Sequence, residues 1–178
     1  SKTLHRDRIT EAYLRIGKAY EKMGKELDAM KYFGKTVKEV AKSGDEKSVP
    51  YGAEAQFELV ERRFKNFSDL VITGSVKQQK KGLVKKLEAL KSVEASYKEI
   101  LKFKQLDWTL ASLFRIGALY QNVAETFVNA PCPKEIKQSA RDLDMTVEEV
   151  CEEYVALLEE QAMSIEDKAV TAYEITIS

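Results

Sequence analysis

The feature that most constrains this chain is a glycine set between two tyrosines on one face of a helix. Tyr13, Ile16, Gly17 and Tyr20 stand at i, i+3, i+4 and i+7, the spacing of residues that share a helix face. Gly24 then supplies a turn, and Ala29 with Phe33 places a small residue and an aromatic one turn apart on a second helix. The residue types have a steric logic. Gly17 and Ala29 are small, so the two helices of one hairpin can approach closely. Tyr13, Tyr20 and Phe33 fill the wedge-shaped spaces that close approach leaves.

The pattern returns twice. In the second copy Phe57, Val60 and Phe64 keep the aromatic, aliphatic, aromatic order, but Glu61 stands where the glycine belongs. Its partner helix carries Tyr97 and Ile100 within a strongly helical stretch from Gln79 to Phe103. In the third copy Leu113, Ile116, Gly117 and Tyr120 restore the glycine, and Ala169 with Tyr173 repeats the closing pair. Thirteen residues separate Tyr20 from Phe33, against 33 from Phe64 to Tyr97 and 53 from Tyr120 to Tyr173. The second and third hairpins therefore carry 20 and 40 extra residues. Shared between two antiparallel helices, ten extra residues each lengthen a hairpin by about 15 Å. Thr73-Gly74-Ser75 marks a break in the first insertion. Ala130-Pro131-Cys132-Pro133 breaks the second, because proline cannot continue a helix interior. A short helix from Lys134 to about Leu143 and a longer one beginning near Thr146 follow, with Glu148 and Glu149 in the first turn of the latter.

Seven positions in register over residues 10 to 43 closely resemble the tetratricopeptide repeat family. The resemblance implies an all-α fold, a right-handed stack of about three antiparallel helical hairpins forming a single α-solenoid domain; the alternative is a generic helical bundle in which the second and third matches are accidents of amphipathicity. Its repeats fall at about 10–43, 51–104 and 108–178, the second and third elongated by insertions. It also implies a concave groove lined by the first helix of each hairpin. Carried over by register, that groove presents Arg15, Lys18 and Lys22, then Glu58, Arg62 and Lys65, then Phe114, Gln121 and Asn122. The competing reading of these side chains is an ordinary polar surface. A basic groove leans towards an acidic peptide or protein partner. The family's clamp for a C-terminal carboxylate is not matched, since Leu14 and Lys18 occupy two of its positions. The long inserted hairpins look similar to extended bacterial tetratricopeptide proteins of the cell envelope, including some tied to gliding motility. That likeness favours an envelope or periplasmic setting.

Catalytic chemistry finds little foothold. The single histidine, His5, is near the start of the chain, which disfavours histidine-dependent nucleophile and metal arrangements. The glycines form no phosphate-binding loop. The acid pairs Glu148-Glu149, Glu152-Glu153 and Glu159-Glu160 have no histidine to complete a di-metal pattern and read as a solvated helix face. Cys132 and Cys151 could bridge or stay as two buried thiols. No stretch is apolar and long enough to span a bilayer. The chain opens on Ser1 without a methionine, which reads as a piece of a longer protein.

Charge is balanced overall, 29 basic against 29 acidic residues, which disfavours general nucleic-acid binding. Its distribution is uneven. Residues 77 to 104 hold nine lysines against three glutamates, and residues 135 to 174 hold twelve acids against three bases. These blocks read as solvated faces, as faces that pair with each other, or as docking surfaces. The run Lys77 to Lys86 lacks interleaved aromatics for stacking on bases and an apolar aromatic side for a membrane surface. The expectation is a non-enzymatic protein-binding scaffold without cofactor or metal, engaging a peptide or protein through the groove or the inserted helices. The alternative is an architectural segment of a large envelope or motility protein.

Overall fold

The computed structural model describes residues 6–177, so His5 lies outside the described residues. Seven α-helices follow one another with no strand among the described residues: α1 (Arg6–Lys22), α2 (Glu26–Ser43), a 3-10 turn (Glu46–Ser48), α3 (Val49–Ser68), α4 (Val76–Leu101), α5 (Leu106–Val128), α6 (Lys134–Ser139) and α7 (Val147–Ile177). Local chemistry sets many of the boundaries. Gly24, at φ 70°, closes the α1–α2 turn, and the Lys25 amide donates to Tyr20 O at 2.9 Å. Gly44, at φ 61°, ends α2 and returns its N–H to Val40 O, a left-handed cap that glycine adopts without steric cost. Thr146 and Glu149 form a reciprocal capping box at the head of α7. The Glu149 amide donates to Thr146 Oγ1 at 3.2 Å, and Glu149 Oε2 accepts from the Thr146 amide at 2.7 Å.

Contacts group the described residues into two compact units. The first comprises the chain up to Arg63 together with Ala95–Ser112, and the second Phe64–Glu94 with Leu113 onwards. The dividing points fall inside α3, α4 and α5.

In the first unit α1 packs on α2. Leu14, Ala29, Phe33 and Ala55 form a closed core, with Tyr20, Val37, Tyr51 and Leu59 against it. Gly17 is buried at the closest point: a Cβ built there would stand 2.6 Å from the Phe33 ring. Tyr13 and Tyr20 are half-buried, each within ring contact of Tyr32 (centroids 6.1 and 5.5 Å). Ile16, expected to pack, is instead 38% exposed, lying off the row of Thr10, Leu14 and Gly17 that α1 buries. Further along, Phe57 packs on Tyr97 and Trp108 (5.8 and 5.2 Å). Tyr97 is fully buried and donates its hydroxyl to Glu61 Oε1 at 2.5 Å.

In the second unit Gly117 repeats the arrangement of Gly17. Its hypothetical Cβ falls 2.6 Å from the Tyr173 ring, and Ile116 and Ala169 are buried beside the pair. Phe64 packs on Phe67 (6.2 Å) and lies under the Arg115 guanidinium. Tyr120 donates its hydroxyl to Glu94 at 3.1 Å. Burial, and then the Glu94 charge, push this phenol up to about 12.

The extra length expected of the second and third hairpins is not shared equally between helices. α3 has 20 residues and α4 has 26, against 17 and 18 in α1 and α2, and residues 69–75 take up the rest. Likewise α5 has 23 residues and α7 has 31, with residues 129–146 between them mostly in α6 and turns. The short helix expected to reach Leu143 stops at Ser139. Beyond it the chain reverses through Asp144 at φ 54°, with the Met145 amide donating to Ala140 O at 3.0 Å.

The Gly17–Phe33 contact gives opposite expectations for two glycine-to-alanine changes. Gly17→Ala forces a methyl against a buried ring and should lose about 1–3 kcal/mol. Gly34, within α2, has nothing within 4 Å of its hypothetical Cβ. Gly34→Ala should therefore gain up to about 1 kcal/mol from helix propensity. Urea denaturation of the two variants checks this. Equal effects would show that the ring contact carries no constraint.

Candidate functional site

The register-derived groove residues are placed as follows. In the first unit Arg15 is exposed and pairs with Glu11 one turn earlier at 2.5 Å. Lys18 pairs with Glu54 of α3, and Arg62 pairs with Glu26 of α2 at 2.5 Å. Lys22 is exposed. Glu58 is half-buried, and its carboxyl is pushed up to about 7, first by burial and then by the charge of Glu21. Glu54 and Glu61 push in the same direction and Lys18 opposes them. Three of the four expected cations on this face are thus engaged by acids of the same unit, and the field around Glu58 is acidic.

In the second unit Lys65 is exposed. Phe114 is 51% exposed and packs against Tyr173 at 5.3 Å. Gln121 accepts the Tyr173 hydroxyl at 2.8 Å and donates to Glu125 at 2.9 Å. Asn122 is half-buried, and its backbone carbonyl accepts from Thr126 Oγ1 at 2.6 Å.

A more enclosed feature is built from the insertions. α4 buries residues seven apart, Gln79, Lys86, Val93 and Ile100, together with Leu90 and Tyr97. Two of these are polar, and each binds irregular backbone. Lys86, 1% exposed, donates to Leu70 O at 2.7 Å and lies 5.0 Å from the centre of the Phe67 ring. Burial holds its ammonium below the usual lysine range, opposed by the Glu125 charge. Gln79, 4% exposed, donates to Pro131 O at 2.7 Å and to Gly74 O at 3.3 Å, and its Oε1 accepts the Tyr154 hydroxyl at 2.8 Å. One amide thus ties both chain breaks to α7. Cys132 and Cys151 are joined by a disulfide that fastens the proline loop to the first turns of α7.

Beside this network lies a pocket of about 250 Å³. Its walls are Ile72, Val76, Leu83, Phe127, Ala130 and Leu158, with Gln79 and Tyr154 bonded to each other among them. Lys80 and Gln161, both exposed, stand at its mouth. Lys80 is the only charged residue lining it. The acids Glu152 and Glu159 line a different, shallow depression with Cys151.

The pattern-matching signal missed Gln79, Lys86 and Tyr154. The seven-residue spacing of 79, 86, 93 and 100 places two polar residues in an otherwise apolar row, and that spacing was available to find them. Among the described residues no group of three or more His, Cys, Asp or Glu is placed to hold a metal ion, and no helix is long and apolar enough to cross a membrane. Comparison with protein-family models, with curated proteins and with solved structures finds no match to this chain.

Two expectations follow. Glu58 has a folded-state pKa near 7 against an ordinary value of 4.5. Its protonated form is the stable one, so its contribution is fully present below 4.5 and is lost as pH rises through 7. Glu58→Gln should therefore stabilise the chain at pH 8 by on the order of 1–3 kcal/mol and change little at pH 5. Denaturation at both pH values measures this, and equal shifts would show that Glu58 titrates normally. Separately, replacing Cys132 and Cys151 by serine opens a crosslink 19 residues apart in sequence. That should lose about 3 kcal/mol, seen as a Tm lowered by roughly 6–12 °C.

Proposed function

We propose that the chain is a tetratricopeptide-like α-solenoid acting as a non-enzymatic scaffold, which binds a peptide or protein partner chiefly through its inserted helices. The observation that carries this reading is a ring-on-glycine contact made twice at matching register, Phe33 on Gly17 and Tyr173 on Gly117, with Tyr97 at the corresponding position of the second copy donating its hydroxyl to Glu61. Where the second copy has a carboxylate in place of glycine, the tyrosine hydroxyl bonds to it. That is the adjustment a conserved geometry requires when the residue is no longer small. Repeated hairpins of this kind offer surface in place of a reaction centre.

The inserted ends are favoured over the opening-helix face for a physical reason. Lys18 and Arg62 already meet Glu54 and Glu26, so an acidic partner would have to displace those acids, whereas the pocket beside Lys80 is open. The same ion pairs favour, as a second reading, an architectural role for the first unit, in which α1–α3 set spacing and bind nothing tightly.

Crosslinking mass spectrometry on the full chain, incubated with extract of its source organism, separates these. The scaffold reading expects a stoichiometric partner whose crosslinks fall on lysines of α4, and expects Arg62→Glu with Lys65→Glu to retain it. Loss of the partner in that double variant would return the binding face to the opening helices. Absence of any stoichiometric partner would leave the architectural reading in its place.

A further inference from the structure

The outer face of α7 carries an apolar stripe that nothing among the described residues covers. Met163, Val170 and Ile177 stand seven residues apart, and each is more than half exposed. Val150, Ala162, Ala169 and Ala172 mark the face that α7 buries, and the stripe lies on the other side. A seven-residue step keeps side chains on one side of a helix with a drift of about 20° per step. That geometry receives a second helix crossing at a shallow angle. Towards the start of α7 the stripe reaches a shallow depression of about 290 Å³, lined by Val155 and Ala156 together with Cys151, Glu152 and Glu159. From Ala156 to Ile177 the run measures about 32 Å at 1.5 Å per residue, room for a partner helix of about six turns.

Apolar residues scattered singly on a surface need no explanation. What sets these apart is the acids that accompany them. Glu159 and Glu160 stand four and three residues before Met163, Glu166 and Asp167 stand likewise before Val170, and Glu174 stands three before Ile177. Residues three and four apart are neighbours on a helix surface, so each apolar side chain is flanked by carboxylates. All five acids are exposed, and none has an ion-pair partner among the described residues. α7 as a whole holds nine acids and one base. That base, Lys168, lies off the stripe, 5.9 Å from the centre of the Tyr120 ring.

These charges identify the occupant. A second copy of α7 would set acids against acids. Anionic membrane surfaces recruit helices with Lys and Arg on the polar side, the reverse of this one. A helix with apolar residues seven apart and Lys or Arg between them answers both features. It covers the stripe, and it pairs with carboxylates that have no internal cation to give up.

We infer that the outer face of α7 is a docking surface for a basic amphipathic helix of a partner protein, which lays its apolar residues along Met163, Val170 and Ile177 and sets Lys or Arg side chains against the flanking acids. This gives the scaffold reading a partner chemistry on the longest helix and rests on that reading.

The test uses the full chain with ¹³C-labelled methyl groups and three synthetic peptides of about six helical turns. The first has leucine at every seventh position and lysines three and four residues before each leucine. The second scrambles that composition, and the third has glutamate for lysine. Titration calorimetry gives affinities, and methyl shifts at Met163, Val170 and Ile177 locate binding. The first peptide should bind at least about tenfold more tightly than either control and shift those three methyls. Met163→Ser with Val170→Ser, at exposed positions, should weaken it about fivefold or more with Tm retained. Glu160→Lys with Asp167→Lys should weaken it by a similar factor. Equal binding of the scrambled peptide would mean attraction by charge alone and overturns the inference, as does an absence of shifts at those methyls with millimolar peptide. So does dimerisation in sedimentation that the serine double variant removes, since a second copy would then occupy the face. Failure of the peptides alongside a stoichiometric crosslinked partner sinks the inference and leaves the scaffold reading standing. Absence of any partner sinks the scaffold reading and the inference with it.

Discussion

The structure depends first on an aromatic ring pressed against a helix at a position with no side chain to spare. At Gly17 and at Gly117 a single added carbon would stand 2.6 Å from the opposing ring, inside any normal contact distance. Interiors packed at crystal-like density have no slack to absorb that overlap. The consequence is a fixed separation between opening and closing helices, which in turn decides which neighbours can be large. Leu14 and Phe33 are sealed in the core, while Tyr13 and Tyr20 reach only half-burial. Glu61 shows what happens when the position is not small: Tyr97 remains buried, and its hydroxyl takes the carboxylate as acceptor. There the contact is hydrogen-bonded where at Gly17 and Gly117 it is steric.

The insertions pose a different problem, because stopping and restarting helices leaves backbone carbonyls without helical partners. Such groups need a partner, from water or from a side chain. Here the donors come from α4. Lys86 reaches Leu70 O, and Gln79 reaches Gly74 O and Pro131 O. A buried lysine is costly in isolation, and its lowered pKa records that cost. The carbonyl and the Phe67 ring offset part of it. The disulfide acts on the same loop from the other side, restricting the unfolded chain more than the folded one.

These two kinds of constraint differ in how well the sequence displays them. The all-helical content and the glycine–ring contacts are legible because their signals are local: Gly17 and Tyr20, or Gly117 and Tyr120, sit within one or two helical turns, and the breaks at Thr73–Ser75 and Pro131–Pro133 announce themselves by residue type. Helix lengths are less legible, because extra residues can enter helix, turn or loop at similar cost, and α4 and α7 took a larger share than their partners. The pocket was hardly legible at all. Lys77 to Lys86 looks like a solvated charge run, and only the seven-residue spacing reveals that Gln79 and Lys86 point inward. Their partners are backbone carbonyls, which no residue type identifies. The face of α1 and α3 shows the reverse failure. Arg15, Lys18 and Arg62 look available in sequence, yet each has an acid within ion-pair distance.

That contrast bears on where recognition can reside. An exposed ion pair contributes little to stability, but it still neutralises the field that would attract a charged partner. Lys18 and Arg62 therefore present much less potential than their count implies, and Glu58 is pushed towards neutrality by burial first and then by the acids around it. On α4 the balance runs the other way. Residues 76–87 hold five lysines and no acid, and one of them, Lys80, lines a pocket in which Gln79 and Tyr154 are already bonded to each other. Apolar surface with no buried donor to strand is a condition under which binding releases free energy instead of exchanging one set of contacts for another. In this chain that condition is met in the pocket beside Lys80, in the second unit.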